Sequence, residues 1–487
     1  MLRMLDRSAK MPRGDARVAS ALAAVAAVLL PLCACATNDG AGALPFAPGP
    51  DQGVFLIISD IHFDPFADPA IVDELVASDV EGWRAIFESS REQGFAQYGS
   101  DSNYPLMSSA LEAAARLLPR PDFVLYPGDY LAHHFETKFD ASAGGGPEAY
   151  RRFVIKTMAF VSEELQDAFS GAPVYGTLGN ADSVCGDYMI APGQAFLAAV
   201  GEIWAANSEH PEAFAEFGVG GFYAVPHPTV RGRDLIALNN VFWSTNYDDR
   251  CNPEGGDPGA ALLAWLEWTL YRTKLRGRSA SLLFHIPPGI DSFNSAHGKG
   301  TCQANVTPYL EDAYAEPFLA LLETYQDVLQ SSFSGHTHMD NFRVVRTAAG
   351  APILLTHITP AVSPIYQNNP AFGLVLYDRK SGDPTDYATV YLTNLEAAGR
   401  GEAARWAVEY TRREAYGYAT YDPATANELA DAIRADPAVR KDYIRFYPVS
   451  TASTDPPIDG QNWRAFACGQ TELTAEAFAA CYCGGGG

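Results

Sequence analysis

Val54-Phe-Leu-Ile-Ile-Ser-Asp60-Ile-His62 opens on a short apolar run and closes on two side chains of metal-ligand type. A run this brief, bounded by polar residues, reads as a buried strand, because a helix needs more length and its own periodicity. Asp60 and His62 then fall where the strand hands over to a loop, a place where a rigid frame holds functional groups. Four further segments end the same way. Asp129 follows Phe123-Val-Leu-Tyr-Pro-Gly128, and Asn180 follows Val174-Tyr-Gly-Thr-Leu-Gly179. His285 closes Ser281-Leu-Leu-Phe284, while His336 and His338 follow Ser332-Phe-Ser-Gly335. Any one of these has an ordinary explanation, since Asp and Asn are common turn residues. Seven such ligands at five strand ends form a pattern.

The chemistry that needs this set is phosphoester cleavage. A phosphate ester repels nucleophiles with its own negative charge. Two metal ions about 3.5–4 Å apart overcome this by clamping the phosphoryl oxygens and acidifying a water. Such a centre takes a carboxylate able to bridge both ions, with neutral His and Asn in the remaining positions; these ligands suit Zn, Mn or Fe.

Outward from these segments, residues 54–395 alternate short β-type runs with longer helical ones, the pattern of a layered α/β domain. Apolar spacing predicts helices over 147–169, 258–275 and 313–329, and strands over 352–356, 372–377 and 387–391. Beyond residue 400 the reading is helical, over 402–416, 425–434 and 474–480. The predicted organisation is a signal segment at 1–35, a Gly/Ala/Pro-rich tether at 36–52, a catalytic domain at 53–398 and a helical, Cys-containing region at 399–487.

In the leader, Arg13 and Arg17 precede an apolar stretch from Ala19 to Leu32, too short for a spanning helix of roughly 20 residues. Leu32-Cys-Ala-Cys35 resembles a bacterial lipoprotein processing site, with lipid attached to Cys35. This predicts an exported protein of the bacterial cell envelope, periplasm-facing or at the surface, held to the membrane by a lipid anchor. An ordinary cleaved signal peptide is the alternative. Six cysteines follow the leader, and in an exported chain an even number predicts disulfides. Six permit fifteen connectivities, so only a local bridge from Cys468 to Cys481 or Cys483 is predicted.

Of the 487 residues 47% are hydrophobic, which excludes a disordered chain. The net charge of −24 argues against stable nucleic-acid binding, which depends on Lys and Arg neutralising phosphates. No zinc-protease His-Glu-x-x-His, phosphate-binding Gly-x-x-x-x-Gly-Lys or Gly-x-Ser-x-Gly elbow offers a rival chemistry.

Asp60-Ile-His62, Gly128-Asp129, Gly179-Asn180, His285 and Gly335-His-Thr-His338 resemble, in order and spacing, the motifs of the calcineurin-like metallophosphoesterase superfamily. Within it the chain is similar to the acid sphingomyelinase-like phosphodiesterases. The residues that carry this are His285-Ile-Pro-Pro-Gly289, Gly335-His-Thr-His-Met-Asp-Asn-Phe342 and Thr359-Pro-Ala-Val-Ser-Pro-Ile-Tyr-Gln-Asn-Asn-Pro370. The resemblance covers residues 54–395 and, more loosely, the Cys-bearing tail. It implies a β-sandwich flanked by helices and two divalent metal ions. Asp60, His62, Asp129 and His338 would surround the first ion, with Asp129 bridging and Asn180, His285 and His336 completing the second. It also implies hydrolysis of phosphodiesters or phosphoanhydrides by attack of a metal-bound hydroxide, on a small-molecule or polymer substrate.

One departure stands out. The family pattern Gly-Asn-His followed by an acid reads Gly179-Asn180-Ala181-Asp182 here, so the histidine taken to protonate the leaving group is missing. His133, four residues after Asp129, matches a histidine near the active site of the sphingomyelinase-like group and is the candidate general acid. Alternatively the leaving group needs little protonation; endopolyphosphatase-like relatives also replace this histidine and keep the Asp. A third reading is a surface lipoprotein that binds metal and phosphate with weak or no turnover. Asp64, Asp182 and Asp340 are candidates to support the ligands from behind. His297 and His357 are candidates for the substrate rim, and Trp243, Tyr247 and Tyr366 for a pocket around an organic group.

Overall fold

A computed structural model describes residues 43–252 and 255–484. The predicted signal segment, its lipidation site Cys35 and residues 36–42 of the predicted tether lie outside the described residues. Just before the first strand, Phe46 is buried in the core.

Among the described residues, twelve strands form two six-stranded sheets. They are β1 (Gln52–Ile57), β2 (Val124–Tyr126), β3 (Val174–Gly176), β4 (Tyr223–Pro226), β5 (Arg233–Leu238) and β6 (Ser279–Phe284). The later six are β7 (Leu329–Ser334), β8 (Asn341–Arg346), β9 (Pro352–Ile358), β10 (Ala371–Asp378), β11 (Pro384–Leu392) and β12 (Trp406–Thr411). The first sheet runs β12-β11-β10-β1-β2-β3 and the second β4-β5-β6-β7-β9-β8. Their inner faces meet through aromatic side chains, with Phe55 on β1 edge-on to Phe333 on β7 at 5.5 Å. Along one border Tyr223 donates to Gly176 O at 2.8 Å and Thr177 to Leu238 O at 2.6 Å, tying the sheets together beside the loops after β3 and β5.

Strand direction places the site. β1, β2 and β3 are mutually parallel, as are β5, β6 and β7. The central strands are apolar on both faces because helices cover the outside; Phe55, Leu56 and Ile57 are all buried. Every ligand-bearing loop leaves the carboxyl end of a parallel strand, the side of an α/β sheet where ligands bind.

The helices predicted over 147–169 and 258–275 occur at Gly146–Ala168 and Pro258–Leu275. The latter starts where the Asp257 side chain accepts from Ala260 N. The helix predicted over 313–329 is shorter, Asp312–Thr324, because Leu329 already belongs to β7. The largest difference lies at 402–416. Trp406–Thr411 is an edge strand on β11, and only Arg412–Tyr416 is helical. Trp, Val, Tyr and Thr at these positions are strand formers. After them, helices Pro423–Ala435, Pro437–Phe446, Trp463–Gly469 and Ala475–Tyr482 follow. They join the second sheet through Val344 N to Gln470 O at 2.8 Å and Asp340 N to Tyr447 O at 3.0 Å. Cys468 bonds Cys481, as the local pairing anticipates, while Cys483 reaches back to Cys302 and Cys185 bonds Cys251.

Candidate metal centre

The loops after β1, β2, β3, β6 and β7 bring all seven predicted ligands to one place, at the seam between the sheets. Asp60, His62, Asp129, His336 and His338 have φ between 44° and 73°. Non-glycine residues rarely hold this left-handed conformation, and where it persists the surroundings enforce it. The glycines in these loops permit the close approach. A Cβ on Gly179 would collide with the Asp129 carboxylate, and one on Gly335 with Asp60 and Ser59.

Hydrogen bonding fixes which atoms face inward. His62 Nδ1 donates to Leu131 O at 2.8 Å and His285 Nδ1 donates to Pro127 O at 2.8 Å; a carbonyl only accepts, so each Nδ1 carries the proton. Each Nε2 then faces the centre, and in the neutral ring that binds a metal it presents the lone pair there. Asp129 Oδ2 lies between them, 3.2 Å from His62 Nε2 and 3.1 Å from His285 Nε2. His62 Nε2 also lies 3.1 Å from His338 Nε2, and Asn180 Oδ1 lies 3.0 Å from His285 Nε2 and 2.9 Å from His336 Nδ1. Asp60 Oδ1 accepts from His336 N at 3.0 Å, while its Oδ2 is buried with no hydrogen-bond partner.

This arrangement asks for cations. Burial pushes the Asp60 carboxyl up to about 6. Burial also lowers the imidazoles, taking His336 down to about 3 with help from His285, and His338 well below its ordinary range. Against that same burial, the Asp129 carboxylate pulls His62 up to about 10 and His285 up to about 9. Among the described residues three sets of donor atoms lie close enough to hold an ion: Asp60, His62, Asp129 and His338; Asp129, His285 and His336; and His62, His133 and His338, which overlaps the first and has no carboxylate. Asn180 Oδ1 joins the second. Asp129 is common to the first two, and the orphaned Asp60 oxygen and converging lone pairs fit divalent metal ions.

Asp182 supports the centre from behind. Its two oxygens accept from the backbone N–H groups of Asp129, Tyr130, Leu131 and Gly179 at 2.8–3.1 Å, tying the β2 and β3 loops together. Ala181, where the family histidine is missing, is buried, and its N–H donates to Asp129 Oδ1 at 2.9 Å.

His133 stacks on His62 with ring centroids 4.1 Å apart. Its Nδ1 meets Asp101 Oδ1 at 2.8 Å, its backbone N–H donates to Asp101 Oδ2, and Nε2 faces the Tyr366 hydroxyl at 3.2 Å. Lys138 bridges Asp101 and Asp64 at 2.9 and 2.7 Å. Asp64 therefore serves the His133 support and not a ligand histidine. Asp101 escaped sequence reasoning, since it precedes His133 by 32 residues and nothing in Ser100-Asp-Ser102 marks it.

The structure moves two predicted residues away from the site. His357 pairs with Phe333 in register, so strand alternation turns its ring between the sheets, where it meets Tyr421 at 2.7 Å and packs on Tyr387. It lines no substrate rim. Asp340 likewise accepts from Thr389 and Tyr410 inside the sandwich and orients no ligand. Trp243 is core, donating to Gly259 O, and Tyr247 donates to Ile190 O; Tyr366 and His297, by contrast, line a cleft of about 550 Å³ beside His336. Tyr188, Tyr309 and Met339 also line it, and among the described residues no Lys or Arg does.

Side chains of metal-ligand type thus gather where the two sheets meet, in sets that could hold divalent ions. The chain belongs to the calcineurin-like phosphoesterase family, whose sequence profile matches residues 53–340. It is thus a hydrolase of phosphoric esters, in a family that uses divalent metals. It is similar to the human acid sphingomyelinase-like phosphodiesterase 3b, 26% identical over 88% of this chain and 90% of the relative. It is also similar to a cyclic GMP-AMP phosphodiesterase of Rattus norvegicus, 27% identical over 87% of this chain and 90% of that one. Among solved structures, a dimetal phosphatase from Danio rerio overlays with a TM-score of 0.39 and 13% identity, over 69% of this chain and 95% of that one.

Proposed function

We propose that this protein is an exported, lipid-anchored phosphodiesterase with a two-metal centre, acting on phosphodiester or phosphoanhydride bonds of small organic substrates. The observation that carries this is the convergence of His62 Nε2 and His285 Nε2 on the shared Asp129 carboxylate, each with its proton committed on the far side. Asp60, His62, Asp129 and His338 would hold one ion, and Asp129, Asn180, His285 and His336 the other. Bound there, the ions would supply charge for the phosphoryl oxygens and acidify the attacking water. The chain's own groups do the rest. Asp129 spaces the two halves of the centre. Asp101 fixes the His133 ring by its Nδ1, leaving Nε2, which meets the Tyr366 hydroxyl, to give a proton to the departing oxygen. Tyr366, on that same nitrogen, is also one of the residues that line the cleft.

A cleft lined with tyrosines and without Lys or Arg favours an organic group over a long polyanion such as polyphosphate. The cyclic GMP-AMP phosphodiesterase relative puts nucleotide phosphodiesters first among compounds to test. The Cys185–Cys251, Cys302–Cys483 and Cys468–Cys481 bridges support an oxidising compartment, in line with the leader.

The test is hydrolysis of bis-p-nitrophenyl phosphate by the purified protein, chelated and then resupplied with Zn or Mn. Turnover lost on chelation and regained with metal is expected. Two bound metals without turnover on this ester or a nucleotide panel would replace the enzyme reading with that of a metal- and phosphate-binding lipoprotein.

A further inference from the structure

An amide is an ambiguous metal ligand, because its oxygen binds a cation and its NH2, of nearly the same shape, repels one. At Asn180 the ambiguity is sharp. The neutral His285 that binds a metal has its lone pair on Nε2, since its Nδ1 proton is committed to Pro127 O. A flipped Asn180 would donate its NH2 to that lone pair and fill the place of the second ion. Observed instead is Oδ1 facing inward, 3.0 Å from His285 Nε2, with Nδ2 turned outward to donate to Asp187 Oδ1 at 2.7 Å.

Asp187 is held there by a loop with few ways to move. Cys185 is bonded to Cys251, Tyr188 N donates to Asn180 O at 2.9 Å, and Asp248 N donates to Tyr188 O at 3.1 Å. Ser183 Oγ closes the loop on Met189 O at 2.9 Å. This segment begins directly after Ala181 and Asp182, the stretch in which the chain departs from the family pattern.

We propose that Asp187 is a positioning residue that selects the metal-competent orientation of the Asn180 amide, and so sets the affinity of the second metal site. This rests on the two-metal reading above. A flipped amide is a state that binds no metal there, and apparent affinity falls in proportion to its population. Groups that orient a ligand from behind typically matter by about 10–100-fold in metal affinity.

The experiment is Zn titration of the metal-free protein against a chromophoric chelator, with the visible spectrum of the Co(II)-loaded protein as a second readout. Wild type, D187A and D187N are compared. D187A should bind the first ion as wild type does and the second about 10–100-fold more weakly, with the Co(II) spectrum of one site altered. D187N offers an amide oxygen in place of the carboxylate, so it should retain most of the affinity. Unchanged affinity in D187A overturns the proposal alone. An equal loss in D187N and D187A also overturns it, because charge and not orientation would then be responsible. Wild type that takes up no metal overturns both this proposal and the function it rests on. Asp187 is exposed, so the variants should keep the melting temperature of the metal-free wild type.

Discussion

Two clusters of buried His, Asp and Tyr lie in this molecule, and their residue types barely distinguish them. One is the metal centre at the strand ends. The other lies between the sheets, where His357 meets Tyr421, and Asp340 takes hydroxyls from Thr389 and Tyr410. In the first, His62 and His285 each donate their Nδ1 proton to a backbone carbonyl, and their Nε2 atoms converge on the Asp129 carboxylate. In the second, tyrosine and threonine hydroxyls bond His357 Nδ1 and Asp340 Oδ2, aromatic rings fill the space, and His357 Nε2, buried without a partner, carries the ring proton. The first is held by left-handed loops at five ligands; the second lies on and beside regular strands. Burial of histidine and carboxylate is therefore no mark of a site. What matters is whether their acceptor atoms are satisfied by the protein or left pointing at one another.

The contrast predicts opposite responses to equivalent substitutions. Asp129→Asn should cost at least about 10³-fold in kcat/KM, since metal charge stabilisation is worth several kcal/mol. It should also lower bound metal per chain, whereas Asp340→Asn should leave metal content and turnover near wild type. Metal content by mass spectrometry alongside kinetics checks both; full activity in Asp129→Asn would remove the bridge from the mechanism. Metal itself should separate the clusters next. At a free concentration 100 times Kd, each ion adds about 2.7 kcal/mol of stability, read as a rise in melting temperature that a chelator abolishes. Asp129→Asn should lose most of that rise and His357→Gln should keep it. His133→Gln is expected to slow alkyl phosphodiesters by about 10²–10⁴-fold and p-nitrophenyl esters much less, because a general acid matters most to a poor leaving group. Equal slowing of both would make His133 a binding residue.

The metal centre was the more legible of the two clusters. Each ligand lies within four residues of an apolar run, so strand and ligand appear in one window of sequence. Local order also announced the helix at 258–275, with Asp257 and Pro258 at its start. Partners set by tertiary folding left no such trace. Asp101 reaches His133 across 32 residues, and Asp187 reaches Asn180 only because its loop turns back under the Cys185–Cys251 bridge. Asp340 misled for a related reason. It stands two residues past His338, close enough to suggest support, but the chain enters β8 there and the carboxylate turns into the sandwich. At 402–416 the error was one of period, since Trp406-Ala-Val-Glu-Tyr-Thr411 alternates on the edge of β11.

The smallest expected effect concerns His357 and bears on stability alone. Burial, and then the Arg412 charge, push its imidazole from 6.5 down to about 3. Between those values the unfolded chain binds a proton that the folded chain refuses, so stability rises with pH across the window. It is lost as pH falls from 6.5 toward 3. At roughly 1.36 kcal/mol per unit, the loss from this one group by pH 4.5 is on the order of 2–3 kcal/mol. His357→Gln cannot titrate and retains an acceptor for Tyr421. Denaturation midpoints of the metal-free proteins at pH 7.5 and 4.5 should therefore fall less for the variant than for wild type. A parallel fall would mean that the folded protein admits a proton at His357, and that the cluster between the sheets is less closed than its hydrogen bonds imply.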